Sequence, residues 1–404
     1  MATRVAVIGG RIEMLEAAAE FGLDVVLVHT AGRYDPRCEE LCEQIVHAEL
    51  DEHGNYDVDC LRGMHTQRPF ARVLTLTEPG LLPAARLNTE LGLGGDPPDT
   101  VRLLKDKARM RLVLDATGLS PVRHRVVGSA AELSEFLVEL GGGPAVIKPL
   151  DAGGSAGVRL VERVANVARS WREVEASGRA RMLAEEYLCG PEVSVEAFTC
   201  NGRHTIVAVT DKYLGPGFVE IGHSMPAEMS DATWRQVAGL TTDLLDAVGL
   251  TEGPTHTEIK LTGRGPRIVE SHNRLGGGFI PDLVKRIYGV DLTRYAVGVP
   301  LGLVSGIPAV PAASGGAAIR FILAEPGTVT DVDRPDATHP AVTVDLTAEP
   351  GTVVPPLTWS VDRVCGHVIA TGRTAGEAVA RCNEAVAQIS VTTDPAAARA
   401  EIAS

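Results

Sequence analysis

The stretch "HTEIKLTGRGPRIVESHNRLGGG", residues 256–278, decides how this chain reads. "HTEIK" and "VESHN" are strand-like, and the glycine- and proline-bearing "LTGRGPR" between them is a turn. Paired as a hairpin, the two strands bring Glu258 and Glu270 to one face. Glu270, His272, Asn273 and Arg274 then follow in quick succession before Gly276, Gly277 and Gly278. A buried strand rarely ends in so many polar side chains, because burying them unpaired costs kilocalories each. Two carboxylates together with phosphate oxygens make a Mg2+ site, since Mg2+ takes hard oxygen ligands and few of them from the protein. The residues alone leave a competing reading, a pair of edge carboxylates without an ion.

Working upstream, "VIKPLDAGGSAGV" is a strand ending in Lys148 and a loop carrying Gly154 and Ser155. Glycine lets backbone N–H groups approach phosphate oxygens, Ser155 adds a hydroxyl donor and Lys148 a point charge. No Gly-Lys-Ser/Thr follows, so the loop is not a Walker A loop, and by itself it also fits a surface hairpin. Lys107 in "LLKDKARM" falls on a predicted helix, where a lone lysine is ordinarily solvated. "LAEEYLCGPEVSVEAF" sets Glu185, Glu186, Tyr187 and Leu188 before a Gly-Pro turn and Glu192 after it. Such an edge offers backbone groups to an adenine and a carboxylate to a ribose, or it is a structural strand.

At the N-terminus "RVAVIGG" and "DVVLVH" flank a helical pattern, a β-α-β opening of a parallel sheet. Only Gly9 and Gly10 stand where a G-x-G-x-x-G turn would, so a Rossmann-like scaffold is favoured over a nicotinamide site. Asp99 or Thr100 is placed to cap the next helical segment and Gly118 to end it. Residues 122–187 alternate short strands and helices as a small α+β lid whose glycine loop has little to pack against, so it is expected to be mobile without nucleotide. Strands dominate from 192, with a helix near 231–248 and a final helix in "TAGEAVARCNEAVAQI". The expected domains are a Rossmann-like N-terminal domain at 1–105, a lid with its linking helix at 106–188, and an antiparallel-sheet catalytic domain with a β-rich extension at 189–404. The fold class is thus α/β with α+β.

A formal charge of -14 argues against nonspecific binding to nucleic acid or acidic membranes. The apolar segment 299–324 is broken by Pro300, Pro308, Pro311 and Arg320 and does not read as a membrane helix. Glu13 and Glu16 come too early for a secretory signal, which places the chain in the cytoplasm. Seven cysteines, an odd number, fit reduced thiols.

Taken in order, Lys107 in "KDK", "VIKPLDAGGSAGV", "EEYLCGPEVSVE", "HTEIK" and "VESHNRLGGG" together resemble the ATP-grasp superfamily of carboxylate-amine ligases. The resemblance spans nearly the whole chain, from "PGLLPAARLNTELGLGG" to "GHVIATGRTAGEAVARCNEA". It is most similar to the L-amino-acid ligases that make dipeptides, a group with carnosine-synthase-like and bacilysin-forming enzymes. The resemblance implies ATP and Mg2+, with Mn2+ as an alternative ion. By position it assigns Lys107, Lys148, Gly154 and Ser155 to the phosphates, Glu185 to Leu188 to the adenine, and Glu192 to the ribose. Glu258 and Glu270 would bind the metal. The commoner superfamily pattern is Glu-x-Asn-x-Arg; here His272 stands at that Asn, with Asn273 next, and Asn273 is taken as the third ligand. Arg274, Gly276 and Gly277 would face the reacting carboxyl group, Glu220 and His223 would recognise an amino acid, and His272 or His223 would serve as base. The implied reaction forms an acyl phosphate that an amine attacks, giving a dipeptide or amide from small-molecule substrates, in a protein expected to be a homodimer. A biotin-carboxylase-like carboxylase, a carrier-protein aminoacyl ligase, and a non-catalytic nucleotide-binding or NAD(P)-dependent protein are the alternatives.

Overall fold

Strands β1 (Arg4–Ile8), β2 (Asp24–His29), β3 (Gln44–His47) and β4 (Arg72–Leu74) form a parallel sheet in the order β3-β2-β1-β4. All five residues of β1 are buried, as a strand covered on both faces requires. Gly9, at φ +61°, makes the turn out of β1, and a Cβ there would lie 2.4 Å from Thr77 Oγ1. The glycine therefore serves the packing of the turn. The computed structural model describes residues 2–51, 54–307, 312–334 and 339–395. Pro308 and Pro311, two of the breaks in the 299–324 segment, lie outside those residues. No helix among the described residues is long and apolar enough to cross a membrane, and the seven cysteines are free thiols.

Two helices, Pro98–Lys105 and Lys107–Thr117, lead to the next sheet. Neither Asp99 nor Thr100 caps. Asp106 does, accepting from the Ala108 and Arg109 N–H groups, because the chain breaks there into a second helix. Thr100 instead donates its hydroxyl to Val248 O at 3.0 Å. Gly118 ends the second helix at φ +67°, the expected left-handed cap.

Strands β5 (His124–Val127), β6 (Ala145–Lys148), β7 (Arg159–Val161) and β8 (Met182–Glu186) pair antiparallel in the order β5-β8-β6-β7. Helices Ala130–Glu139 and Val167–Ala176 cover the sheet, burying Leu133, Phe136, Trp171 and Val174 against Ile147 and Ala184. The loop after β6 is less free than its glycines suggest. Ser155, at φ +63°, donates its hydroxyl to Phe218 O at 2.9 Å, and the Ser360 N–H donates to Gly154 O at 2.9 Å. Both partners are distant in sequence, so nothing near the loop announces them.

The remaining strands are β9 (Glu192–Cys200), β10 (Arg203–Leu214), β11 (Glu220–Met225), β12 (Glu252–Thr262), β13 (Gly265–His272), β14 (Gly316–Phe321), β15 (Gly327–Asp333), β16 (Val342–Leu346), β17 (Val353–Val354), β18 (Gly366–Gly372) and β19 (Ser390–Asp394). Eight of them form one antiparallel sheet, β13-β12-β9-β10-β11-β14-β18-β16. Alternation along β9 feeds both faces. Val193, Val195 and Ala197 pack with Val237, Leu244 and Leu245 of helix Asp231–Ala247, and Phe198 packs with Leu283, Val284 and Ile287 of helix Ile280–Tyr288. Each such side chain, fully buried, contributes about 1.5–3 kcal/mol. The final helix, Ala375–Ala387, packs beside β14 and β18, and β19 after it joins β15 and β17 in a separate three-stranded sheet.

Candidate active site

The hairpin of residues 256–278 forms as its sequence suggests. Glu258 of β12 and Glu270 of β13 are direct cross-strand partners, and the register shifts immediately after them. Like charges directly opposed repel, and each carboxylate is held by a buried lysine: Glu258 Oε1 lies 2.5 Å from Lys212 Nζ, and Glu270 Oε2 lies 2.9 Å from Lys107 Nζ. Burial pushes both carboxyls up, but Lys212 beside Glu258 and Lys107 beside Glu270 outweigh it, so both stay below the usual range and ionised.

A cavity of about 90 Å3 lies between the small four-stranded sheet and this hairpin. Its walls include Lys107, Lys148, Ser155, the run Glu185 to Leu188, Glu192, Glu258 and Glu270. Lys148 Nζ is 2.8 Å from Glu185 Oε2 and donates to Val269 O at 3.1 Å. Arg111, fully buried, ion-pairs with the same Glu185 and donates to Ile268 O at 2.6 Å. Burial pushes the Glu185 carboxyl up, yet Arg111 and Lys148 together hold it down at about 2. Glu186 accepts from the Arg123 N–H at 3.0 Å and from Arg264 at 2.9 Å. The Glu192 carboxylate is already engaged, 2.8 Å from Lys212 and 3.2 Å from Lys260.

A second cavity, of about 480 Å3, opens on the other side of the carboxylate pair. Glu258, Glu270 and Ser155 line both cavities, and Gly154, Glu220, Arg274, Gly276, Gly277 and Gly278 line the larger one. Arg274 donates from Nε to Glu78 Oε1 at 2.8 Å and from Nη1 to Leu275 O at 2.8 Å. His272 lines neither cavity; its Nδ1 is 2.9 Å from Glu78 and its Nε2 3.2 Å from Glu270. Burial pushes the Glu78 carboxyl up, but His272 and Arg274 hold it well below the usual range. Asn273 Oδ1 is buried without a hydrogen-bond partner among the described residues. Asn273, like His272, lines neither cavity, so the structure does not bring it to the Glu258–Glu270 pair.

His223, fully buried, lies behind the glycine run with its ring edge-on to Phe321, and among the described residues neither ring nitrogen has a hydrogen-bond partner. Burial pushes its imidazole down to about 4, so it is neutral near pH 7. Gly278, at φ +60°, stands directly over it, and a Cβ there would come 2.5 Å from His223 Nε2. Gly278→Ala is therefore expected to lose about 1–3 kcal/mol from backbone strain and overpacking. A denaturation midpoint equal to that of the unsubstituted protein would show that the site has room.

Several residues of this site escape a reading of the sequence. Lys212 bridges Glu192, Glu220 and Glu258, and its one signal is a lysine inside the otherwise strand-like "HTIVAVTDKYL". Glu78 follows "RVLTLT", where the chain leaves β4, with no local motif. Glu196 and His256 form a buried pair at 2.9 Å beside Glu258. Burial pushes His256 down, but Glu196 and Glu258 raise it to about 10.

Three domain families match the chain: an ATP-grasp N-terminal domain over residues 15–95, an ATP-grasp domain over 142–282, and the L-amino acid ligase C-terminal domain 2 over 320–394. Carnosine synthase 1 of Gallus gallus is 32% identical over 74% of this chain and 34% of its own length. That of Mus musculus is 28% identical over 74% of this chain and 39% of its own. The chain therefore spans well under half the length of the carnosine synthases it matches. Alanine–anticapsin ligase of Bacillus subtilis is 25% identical over 66% of this chain and 58% of its own length. Among solved structures, an L-amino acid ligase from Bacillus licheniformis superposes with a TM-score of 0.81 at 21% identity, over 97% of this chain and 99% of that one. A biotin carboxylase domain of the Hydrogenobacter thermophilus 2-oxoglutarate carboxylase, crystallised with MgADP, superposes at 0.74 and 17% identity, over 97% of this chain and 91% of that one. These two likenesses establish the fold.

Proposed function

We propose, from the premise that the chain is a member of the ATP-grasp superfamily, that it is an ATP-dependent ligase joining the carboxylate of an amino acid or related acid to an amine. The observation that carries this reading is the Glu258–Glu270 pair, which forms a wall common to both cavities. The smaller cavity, with Lys107, Lys148 and the Glu185-to-Leu188 edge, is taken as the nucleotide side. The larger, with Arg274 and the glycine run, is taken as the side of the organic substrates. Glu258 and Glu270, which line both cavities, suit Mg2+, a hard cation satisfied by few protein oxygens, and Asn273 Oδ1 is kept as a proposed third ligand from outside the linings. When bound there, the cation neutralises charge on the phosphoryl oxygens.

The chain's own residues then do the rest. Lys107 and Lys148 hold the phosphates while the substrate carboxylate attacks the γ-phosphorus; the bond to the bridging oxygen breaks, ADP leaves, and an acyl phosphate remains. A neutral amine then attacks the acyl carbon, phosphate departs, and the nitrogen loses its proton. In this reading Arg274, clamped by Glu78, and the Gly276 and Gly277 N–H groups serve the oxyanion of that step. ADP and phosphate release screened over pairs of amino acids and simple amines, with products weighed by mass spectrometry, tests the reading. Release that needs bicarbonate in place of an amine would turn it into a carboxylase. A homodimer in the cytoplasm belongs to the same reading, and light scattering and cell fractionation check it.

The roles of the two cations separate by substitution. Arg274→Lys keeps the charge and loses the planar fork, so ATP affinity stays near normal while the ligation rate falls at least about tenfold. Lys148→Met is expected to impair ATP binding itself. If Arg274→Lys weakens ATP binding as much as Lys148→Met does and leaves the rate at saturating ATP intact, Arg274 serves the phosphates.

A further inference from the structure

The "HTEIK" strand opens on a residue that the reaction above does not use. His256 of β12 lies directly across from Glu196 of β9, and Glu258 directly across from Ser194, so the four side chains share one face of the paired strands. Ser194, Glu196 and His256 are buried. The Ser194 hydroxyl donates to Glu196 Oε1 at 2.7 Å. The two Glu196 oxygens lie 2.9 and 3.0 Å from His256 Nδ1, and His256 Nε2 lies 3.2 Å from Glu258 Oε1. Each ring nitrogen thus faces a carboxylate, and the ring cannot turn without leaving one of them.

Gly276 rests on this pair. A Cβ there would come 2.7 Å from His256 Nδ1, 3.1 Å from Glu196 Oε2 and 3.2 Å from His256 Cε1. Only a residue without a Cβ brings its backbone this close. Glu258 has a second hold, since Lys212 Nζ is 2.5 Å from the same Oε1. The pair is therefore an additional support for Glu258 and the near support of Gly276. His256 and Gly276 line the larger cavity, while Glu196 lines neither cavity, so Glu196 acts only through what it holds. Stability alone does not call for such a pair, since apolar side chains of similar volume often serve a fold as well as a buried ion pair does.

We propose that Glu196 and His256 are positioning residues for the amine-attack step, the seat that keeps the Gly276 N–H where the oxyanion of that step forms. The inference rests on the ligase reading above, in which Gly276 serves that oxyanion. A preorganised donor works through its fixed position. Loosening the seat therefore slows attack on the acyl carbon and spares the earlier transfer of the phosphoryl group, in which Gly276 has no part.

The test follows a single turnover by rapid quench, with enzyme in excess of ATP and an equimolar mixture of the twenty protein amino acids, reading ADP and dipeptide from the same sample. In Glu196→Gln, isosteric but uncharged, ADP formation is expected to stay near that of the unsubstituted enzyme. Dipeptide formation should slow at least about tenfold, a shifted donor losing less than a deleted one. Hydroxylamine in a parallel sample should capture the acyl phosphate that accumulates: its nitrogen attacks the acyl carbon, phosphate leaves, and a hydroxamate forms. Glu196→Asp, which keeps the charge, should restore part of the dipeptide rate. Gly276→Ala, whose methyl group presses on His256, should show the same split, and adding Glu196→Gln to it should cost little more. The ratio of dipeptide to ADP does not depend on how much of a variant is folded. ADP and dipeptide slowing in parallel in Glu196→Gln would make the pair structural and overturn the inference. So would Gly276→Ala without the split, or full additivity in the double variant. No ADP from the unsubstituted enzyme with this mixture would overturn the ligase reading itself and the inference with it.

Discussion

Glu270→Gln abolishes turnover, with kcat lowered on the order of a hundredfold or more, while the fold stays near normal. The carboxylate faces both cavities and opposes Glu258 across the hairpin. A neutral amide is a poor ligand for a hard cation and cannot hold Lys107 at the phosphates. Losing the charge that Lys107 and His272 hold costs stability, but three features keep the fold in place. The replacement is isosteric. Lys107 keeps its hydrogen bond to Ala152 O at 2.5 Å. One of two opposed carboxylates also loses its charge, which relieves repulsion with Glu258. Activity at saturating Mg2+ equal to that of the unsubstituted enzyme would remove Glu270 from the chemistry.

That prediction uses residues the sequence placed by itself. The hairpin is legible because its signals are local: two strand-like runs, a turn of glycine and proline, and a carboxylate at a matching position in each run. The parallel opening is legible for the same reason, since β1 is apolar from Val5 to Ile8 and is followed by Gly9. What could not be read is whatever depends on residues far apart. Lys107 looks like a solvated lysine in "KDKARM", yet it is buried because β13 brings Glu270 to it across 163 residues. The loop around Ser155 looks free, yet Phe218 and Ser360 meet it from later parts of the chain. Asp99 and Thr100 are good local capping residues, but their helix starts at Pro98 and takes both inside it, and Asp106 caps the separate helix that follows. Arg363 lies in an exposed-looking turn and enters the larger cavity only through Ser360, Glu220 and Phe321. Local pattern gives elements and paired positions; it does not give the partner of a lone charge.

Lys212→Met should be among the most destabilising single substitutions in the molecule, at about 3–5 kcal/mol near pH 7, because it removes one partner of a buried ionic cluster. The Lys212 side chain is 2% exposed, and its ammonium stands within 3 Å of Glu192, Glu220 and Glu258. Burial opposes its charge, but those carboxylates hold its pKa well above the ordinary lysine value. In return Lys212 offsets the burial of Glu220 and Glu258 and keeps both below the usual carboxylate range. A carboxyl with a depressed folded pKa contributes stability above its unfolded pKa and loses it as pH falls through the folded value. Without Lys212 the sign reverses. Burial and mutual repulsion raise the folded pKa values, so the substituted protein is penalised at neutral pH and relieved as these carboxyls take up protons on acidification. The gap between the two proteins, measured by denaturant unfolding, is therefore widest near pH 7–8 and narrows towards pH 5. Adding Glu220→Gln to Lys212→Met should recover part of the loss, since one of the stranded charges is gone. A gap that stays constant from pH 8 to pH 5, with no recovery in the double variant, would mean that Lys212 acts through packing of its methylene stem and that the cluster does not need its charge.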